Sequence, residues 1–373
     1  MTLRQLLTTA VLLIVGCHDQ NDRGGAAEPI VDTVDSTYLT AAIDAIVEAA
    51  ESDGFAGQVA VDRSGHEVFP ASAGHADGAS TVPVDEATRF QVASVTKFLT
   101  AVLVLRAAEE ELIALDEKLG TYLPESKAPL ADATIDQLLS HRSGLGSSYV
   151  AERIGDREEA LRAILEQPVD ETAIGGFRYS NDAYDLLAIL LERLHGRPFE
   201  EIARAGVLEP AGMTATRFWS EVDTSDPRLV GQPLEPISDE LGGRNYGMLG
   251  SQGLLTTARE LVALRHALDG GRLLDEDSLR ELSEPRSEVS IGSAAYGSFL
   301  LDDTPLGTAH VALGAESWGD NAILAHYPAC RLAVAVVTSR GPDTEDSSQL
   351  FRARISGEIA TAFAPVCAAE TNP

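Results

Sequence analysis

The chain has 373 residues, of which 44% are hydrophobic and 23% charged, enough for a large core and too apolar for a disordered polymer. Its formal net charge of −30 opposes association with nucleic acid or anionic lipid. No Cys-x-x-Cys or His-Glu-x-x-His occurs, so neither a catalytic metal nor a cofactor has sequence support, and Gly-x-Ser-x-Gly, the mark of an α/β-hydrolase nucleophile elbow, is also missing.

In chain order, residues 1–17 read as an export signal. Arg4 supplies the positive end, an apolar run extends to Val15, and Ile14-Val15-Gly16-Cys17 resembles a lipobox. The run is too short to span a bilayer. On this reading a lipidated Cys17 tethers the chain to the bacterial cell envelope, at the outer membrane or cell surface, and acyl chains are its sole membrane contact. The alternative is an ordinary signal peptide with an incidental cysteine. Residues 18–36 are polar and unpatterned, a tether. Leu39, Ile43, Ile46 and Val47 then recur at helical spacing over 38–51. Residues 55–61 and 66–69 read as strands about the Arg63-Ser64-Gly65 turn.

Ser94 and Lys97 stand at the mouth of an apolar segment, 98–105, too hydrophobic all round for a surface helix. Lys97 is one of only three lysines, and burying an ammonium needs a reason. Residues three apart share a helix face, so Lys97 would lie beside the Ser94 hydroxyl as its base, and a helix N-terminus beneath Ser94 would favour a developing oxyanion. A capping serine with a snorkelling lysine would give the same spacing. Further on, Gly175-Gly176 leads into Tyr179-Ser180-Asn181. In extended backbone Tyr179 and Asn181 face the same way, although Asn181 or Asp182 could also simply cap the helix predicted over 182–195, which Gly196 stops. Helical patterns dominate from Val95 to about Leu282, interrupted by an irregular stretch, 217–246, that reads as a wall or lid. Residues 294–301, 308–313, 322–326 and 332–338 read as strands, and 347–363 as a closing helix. Cys330 and Cys367 could pair, but two cysteines do not establish a bond.

Taken together, these motifs resemble the β-lactamase-related serine hydrolases, a family that includes class C β-lactamases, D-Ala-D-Ala carboxypeptidases, D-aminopeptidases and β-lactamase-like carboxylesterases. Phe90 to Lys97 is similar to the nucleophile motif and Tyr179-Ser180-Asn181 to the Tyr-x-Asn motif. Residues 115–124, 134–145, Pro210-Ala211-Gly212-Met213 and 253–258 resemble further landmarks in the same order. His141 falls on one of them, where it reads as a structural residue packing the loop closed by Gly144. The resemblance implies Ser94 as nucleophile, Lys97 and Tyr179 as the groups handling its proton, and Asn181 as a substrate-positioning residue. The chain departs from the family at the third motif. Spacing back from Tyr327-Pro328 favours Leu313-Gly314-Ala315 over a register headed by His310 (His310-Val311-Ala312), and in both an alanine replaces the closing glycine. In the favoured register the second oxyanion donor would be the N–H of Glu316. The family's third-motif lysine helps hold a substrate carboxylate. Leu313 cannot, so small or peptidic esters and neutral amides are expected ahead of β-lactams and D-Ala-D-Ala peptides. A tethered binding protein that had kept the fold and lost turnover is the rival reading.

The expected fold is α/β (α+β). An antiparallel sheet is built from both chain ends and flanked by helices, with a large, mainly helical insertion. Residues 37–365 form the catalytic domain, with 37–93 and 290–365 in the sheet part and 94–289 in the helical part, and 366–373 form a tail.

Overall fold

The structure is a computed structural model that describes residues 36–63, 65–76, 80–230, 243–315, 320–339 and 351–371. After the first helix, α1 (Ser36–Ser52), the chain forms β1 (Gly57–Arg63) and β2 (His66–Ala73). The remaining strands of the main sheet follow more than two hundred residues later: β7 (Ser287–Val289), β8 (Gly292–Ala295), β9 (Ser298–Leu301), β10 (Ala309–Ala315), β11 (Asn321–Tyr327) and β12 (Leu332–Thr338). The order is β2-β1-β12-β11-β10-β9-β8-β7, every pairing antiparallel. β12 reads Leu-Ala-Val-Ala-Val-Val-Thr and, like β11, is buried at every position. Such an unbroken apolar run is what a strand needs when both its faces are covered. The sheet is thus assembled from both chain ends, as expected.

Two expectations are refined. The strand read over 294–301 is two strands, because the chain reverses at Gly297, which takes φ +63°, and β8 pairs with β9. The predicted closing helix is α8 (Phe351–Thr371), which runs on through part of the expected tail, while its proposed first residues, 347–350, lie outside the described ones. Cys330 and Cys367 are joined in a disulfide with Cα atoms 5.3 Å apart, fixing α8 to the turn that follows β11.

The insertion carries α2 (Thr96–Glu109), α3 (Ile135–Leu139), α4 (Arg157–Leu165), α5 (Asn181–His195), α6 (Ala258–Asp269) and α7 (Glu276–Leu282), besides shorter turns. Residues 96–105 of α2 are all buried, the apolar run expected over 98–105 together with Thr96 and Lys97 before it. α5 ends at Gly196 in the left-handed region, φ +68°, the usual glycine stop. A small second sheet, β4-β6-β3-β5, joins β3 (Arg89–Gln91), β4 (Arg217–Phe218), β5 (Leu229–Val230) and β6 (Leu254–Thr256). Strands this short carry no alternation for a sequence reading to detect. β3 delivers the chain to Ser94, and β6 holds that delivery in place: Val92 N–H donates to Leu254 O at 3.2 Å, and Leu254 N–H donates to Thr96 Oγ1 at 3.2 Å.

Candidate active site

Ser94 lies in a 3₁₀ turn, Ala93–Val95, between β3 and the start of α2. Ala93 takes φ +44°, a left-handed conformation that is unfavourable for a residue with a Cβ, so the approach to Ser94 is a strained, fixed corner. From the first turn of α2, the Lys97 side chain returns to Ser94, its Nζ donating to Oγ at 3.0 Å and to the carbonyl of Ser251 at 2.9 Å. Lys97 is 1% exposed. Tyr179 O–H donates to the same Ser94 Oγ at 2.8 Å, and the lysine nitrogen lies 4.9 Å from the Tyr179 ring centroid. The three residues picked out in the sequence therefore meet at one oxygen.

Tyr179 is held from behind. The His141 ring lies against it, and His141 Nδ1 accepts the Ser180 N–H at 3.1 Å. Burial, with Lys97 adding to it, pushes the His141 imidazole down to about 3, so it is neutral in ordinary buffers. The helix cap is Ser180, whose Oγ accepts the Ala183 N–H at 3.0 Å. Neither Asn181 nor Asp182 fills that role. Asn181, buried at the start of α5, donates from Nδ2 to Tyr149 O–H at 2.6 Å. Its Oδ1 is buried and has no protein hydrogen-bond partner.

The cleft has a volume of about 260 Å³ and is lined by Ser94, Tyr149, Tyr179, Asn181, Gln252, Phe299, Leu313, Gly314, Ala315 and Arg352. Leu313, Gly314 and Ala315 of β10 are all present. Gly314 is required sterically, since a Cβ there would lie 2.0 Å from Val92 O and 3.2 Å from Ser94 N. The end of β10 thus runs against the main chain of the nucleophile. Glu316 lies outside the described residues.

His310 is not brought to this cleft. Its Nε2 shares a 2.6 Å hydrogen bond with Ser298 Oγ, and it lines a separate hollow with His326 and Arg265. Burial foremost, then Arg265 and His326, pushes it down to about 3, so it offers no charge for a carboxylate. Arg244 is also committed elsewhere, to Glu200 and Glu192. Among the described residues of 217–246, none lines the cleft.

Sequence reasoning missed Arg352. It projects from the first turn of α8, donates from Nη1 to Gly314 O at 2.7 Å, and lines the cleft. Burial lowers it to about 10, so it remains a cation at neutral pH. The expectation of a cleft without a cation is therefore corrected. Nothing near Arg352 in the sequence marks it, because its place is set by the packing of a helix more than two hundred residues away from Ser94. Gln252, 1% exposed and with an unpartnered Nε2, was missed for the same reason.

The family model described as Beta-lactamase matches residues 39–358. Esterase EstB of Burkholderia gladioli is 33% identical over 235 residues, 56% of this chain and 59% of that protein. A D-aminopeptidase of Cereibacter sphaeroides is 25% identical over 315 residues, 82% of this chain and 60% of that protein. The chain thus spans about six tenths of the length of these relatives. The crystal structure of D-amino acid amidase from Ochrobactrum anthropi SV3 complexed with L-phenylalanine amide has a TM-score of 0.72 at 21% identity, covering 89% of this chain and 99% of that one, a likeness of fold.

Proposed function

The chain belongs to the Beta-lactamase family, and from that premise we propose that it is a serine hydrolase acting through an acyl-enzyme on Ser94. The observation that carries the reading is the convergence of Lys97 Nζ and Tyr179 O–H on Ser94 Oγ. A buried amine and a phenol on one hydroxyl are suited to moving its proton. In acylation, Ser94 Oγ bonds to a carbonyl carbon while its proton passes to the Lys97–Tyr179 pair. The bond from that carbon to the leaving oxygen or nitrogen then breaks, and the leaving atom takes the proton. Water repeats the sequence on the acyl-Ser94 ester, releasing the acid and restoring the serine. The Ser94 N–H is proposed as one oxyanion donor, and the N–H of Glu316, outside the described residues, as the second. The same convergence on Ser94 Oγ argues against a binding protein that has lost turnover.

The proposed substrates are small or peptidic esters and amides. The apolar head of the third motif, Leu313, and the identity with an esterase support that class. Asn181, which lines the cleft, is proposed as the residue that positions the substrate. Arg352 favours a second reading, a D-Ala-D-Ala carboxypeptidase or β-lactamase, in which its guanidinium faces a substrate carboxylate. Residues 1–17 are proposed to export the chain and leave it lipid-anchored at Cys17, a segment outside the described residues. Among the described residues no helix is long and apolar enough to cross a membrane.

A fluorophosphonate probe followed by peptide mass spectrometry tests the central claim. Wild type should carry the adduct on the peptide containing Ser94 and Ser94→Ala should carry none. An adduct that persists in the variant would remove Ser94 from the mechanism.

A further inference from the structure

The middle of α5 contains an anomaly. Its buried face is built from Ala183, Leu186, Leu187, Ile189, Leu190 and Leu191, yet Asp185 sits among them at 0% exposure. An isolated buried carboxyl is strongly unfavourable unless it is hydrogen-bonded. Here three donors reach it, all from one short turn. Asp185 Oδ1 takes the N–H groups of Gly250 and Ser251 at 3.0 and 3.1 Å. Its Oδ2 lies 3.1 Å from Ser251 Oγ.

That turn is clamped from the other side by α2. Gly250 O accepts from Thr100 Oγ1 at 2.7 Å. The N–H and C=O of a trans peptide point in opposite directions, so the Gly250–Ser251 peptide plane bridges α5 to α2 with its orientation fixed at both ends. Gly250 has no room to shift, since a Cβ there would lie 2.2 Å from Tyr184 O. The next carbonyl along, Ser251 O, is the one that holds Lys97 Nζ.

We propose that Asp185 is a positioning residue for Lys97, fixing the Gly250–Ser251 turn so that the Ser251 carbonyl aims the lysine nitrogen at Ser94 Oγ. The inference rests on the reading of Ser94 and Lys97 given above and extends it by one layer. With Ser251 O taking one N–H, the lone pair that the amine exposes on losing a proton is directed at the serine. Without Asp185, two main-chain N–H groups would be buried unpaired and the turn would relax toward other acceptors.

The protonation of Asp185 fits this role. Burial pushes its carboxyl up to about 8, against the pull of Lys97 and the donors and with a further push from Asp182. In the protonated form Oδ1 keeps both main-chain N–H bonds, and the acid hydrogen on Oδ2 is donated to Ser251 Oγ. Asparagine reproduces that pattern, its Oδ1 accepting twice and its Nδ2 donating to Ser251 Oγ. Alanine reproduces none of it.

The test uses the full chain and measures kcat and KM on a p-nitrophenyl ester, the rate of Ser94 labelling by a fluorophosphonate, and melting temperature. Asp185→Ala should lower kcat and the labelling rate at least tenfold with KM within about twofold. Asp185→Asn should restore both rates to within about threefold of wild type. A folded Asp185→Ala that labels at the wild-type rate overturns the proposal, and so does an asparagine variant as slow as the alanine one. If Asp185→Ala does not fold, Ser251→Ala decides. It should lower kcat about threefold at unchanged KM, and an unchanged kcat overturns the proposal. Lys97→Ala is the control that separates the two layers. If it labels normally, the serine–lysine reading fails. If it is dead while Asp185→Ala is normal, only the present inference fails.

Discussion

His141 and Tyr179 lie ring against ring, centroids 4.5 Å apart at 32°, while His141 Nδ1 accepts the N–H that follows Tyr179 in the chain. One imidazole thus fixes both the phenol that reaches Ser94 and the backbone that carries it. His141 takes φ +58°, and Arg178 N–H donates to its carbonyl at 2.7 Å, so its own position is fixed from two directions. A histidine here acts as a neutral acceptor and a flat surface, without entering the chemistry.

His141→Ala is therefore expected to lower kcat by about tenfold or more, as misplacement of a proton-transfer group does. His141→Phe keeps the ring contact but leaves the Ser180 N–H unpaired, at roughly 1–3 kcal/mol of stability. Steady-state kinetics with thermal melts would separate the two effects. A wild-type kcat in the alanine variant would show that Tyr179 needs no such support.

Lys97→Arg should be nearly as damaging as Lys97→Ala. Arginine keeps the charge but cannot release a proton as a base, and the loss of a general base lowers rate on the order of a hundredfold. Single-turnover acylation is the measurement. An arginine variant close to wild type would reduce Lys97 to an electrostatic or structural part.

Substrate choice depends on Leu313 and Arg352. Short-chain p-nitrophenyl esters should show higher kcat/KM than nitrocefin or a D-Ala-D-Ala peptide. Leu313→Lys should raise the carboxylate-bearing substrates relative to the esters, and His310→Lys, on a residue outside the cleft, should not. If wild type instead prefers the peptide or the β-lactam, and Arg352→Gln abolishes that preference, the carboxypeptidase or β-lactamase reading replaces the esterase one.

Stability should pass through a maximum near pH 6.5. His310 and His326 are both pushed down to about 3, chiefly by burial. Between about pH 3 and 6.5 the unfolded chain holds protons on them that the folded chain does not, so stability is lost as pH falls through that window. Asp185 is raised from 3.8 to about 8. Between about pH 4 and 8 the folded chain keeps its proton and the unfolded chain does not, so its contribution to stability declines as pH rises. Each group contributes a slope of up to about 1.4 kcal/mol per pH unit. Denaturant melts across pH should show a flatter acid limb for His310→Gln and a flatter limb from pH 6.5 to 8 for Asp185→Asn. Unchanged limbs would show that these groups titrate normally in the folded chain.

The reach of sequence reading can be judged on particular residues. Ser94 with Lys97 and Tyr179 with Asn181 are visible because their chemistry is written into spacings of two or three residues. β12 and residues 322–325 of β11 are visible because burial on both faces leaves an apolar run. Ser251, Gln252 and Arg352 are not visible, because their roles come from contacts with residues far away in the chain, 154 positions for Lys97 and Ser251. Asp182 and Asp185 are an intermediate case. Two acids one turn apart on an otherwise apolar helix break its pattern, and that break was the available signal.

The pairing of β1 with β12 has a consequence for the order in which this protein can come into being. Gly57 faces Thr338 across the sheet, and β10, which backs the nucleophile, is tied to β1 only through β11 and β12. On a growing chain, Ser94, Lys97 and Tyr179 are all made long before the strand that completes their surroundings. Closing so long a loop is slow and has to precede the contacts that stabilise it. A nascent or truncated chain ending before about residue 332 would carry every motif legible in the sequence and still leave β11 as an unpaired edge, prone to pairing with other chains. The cleft is then complete only once β12 has been made, and loss of that strand would undo it as surely as loss of the serine.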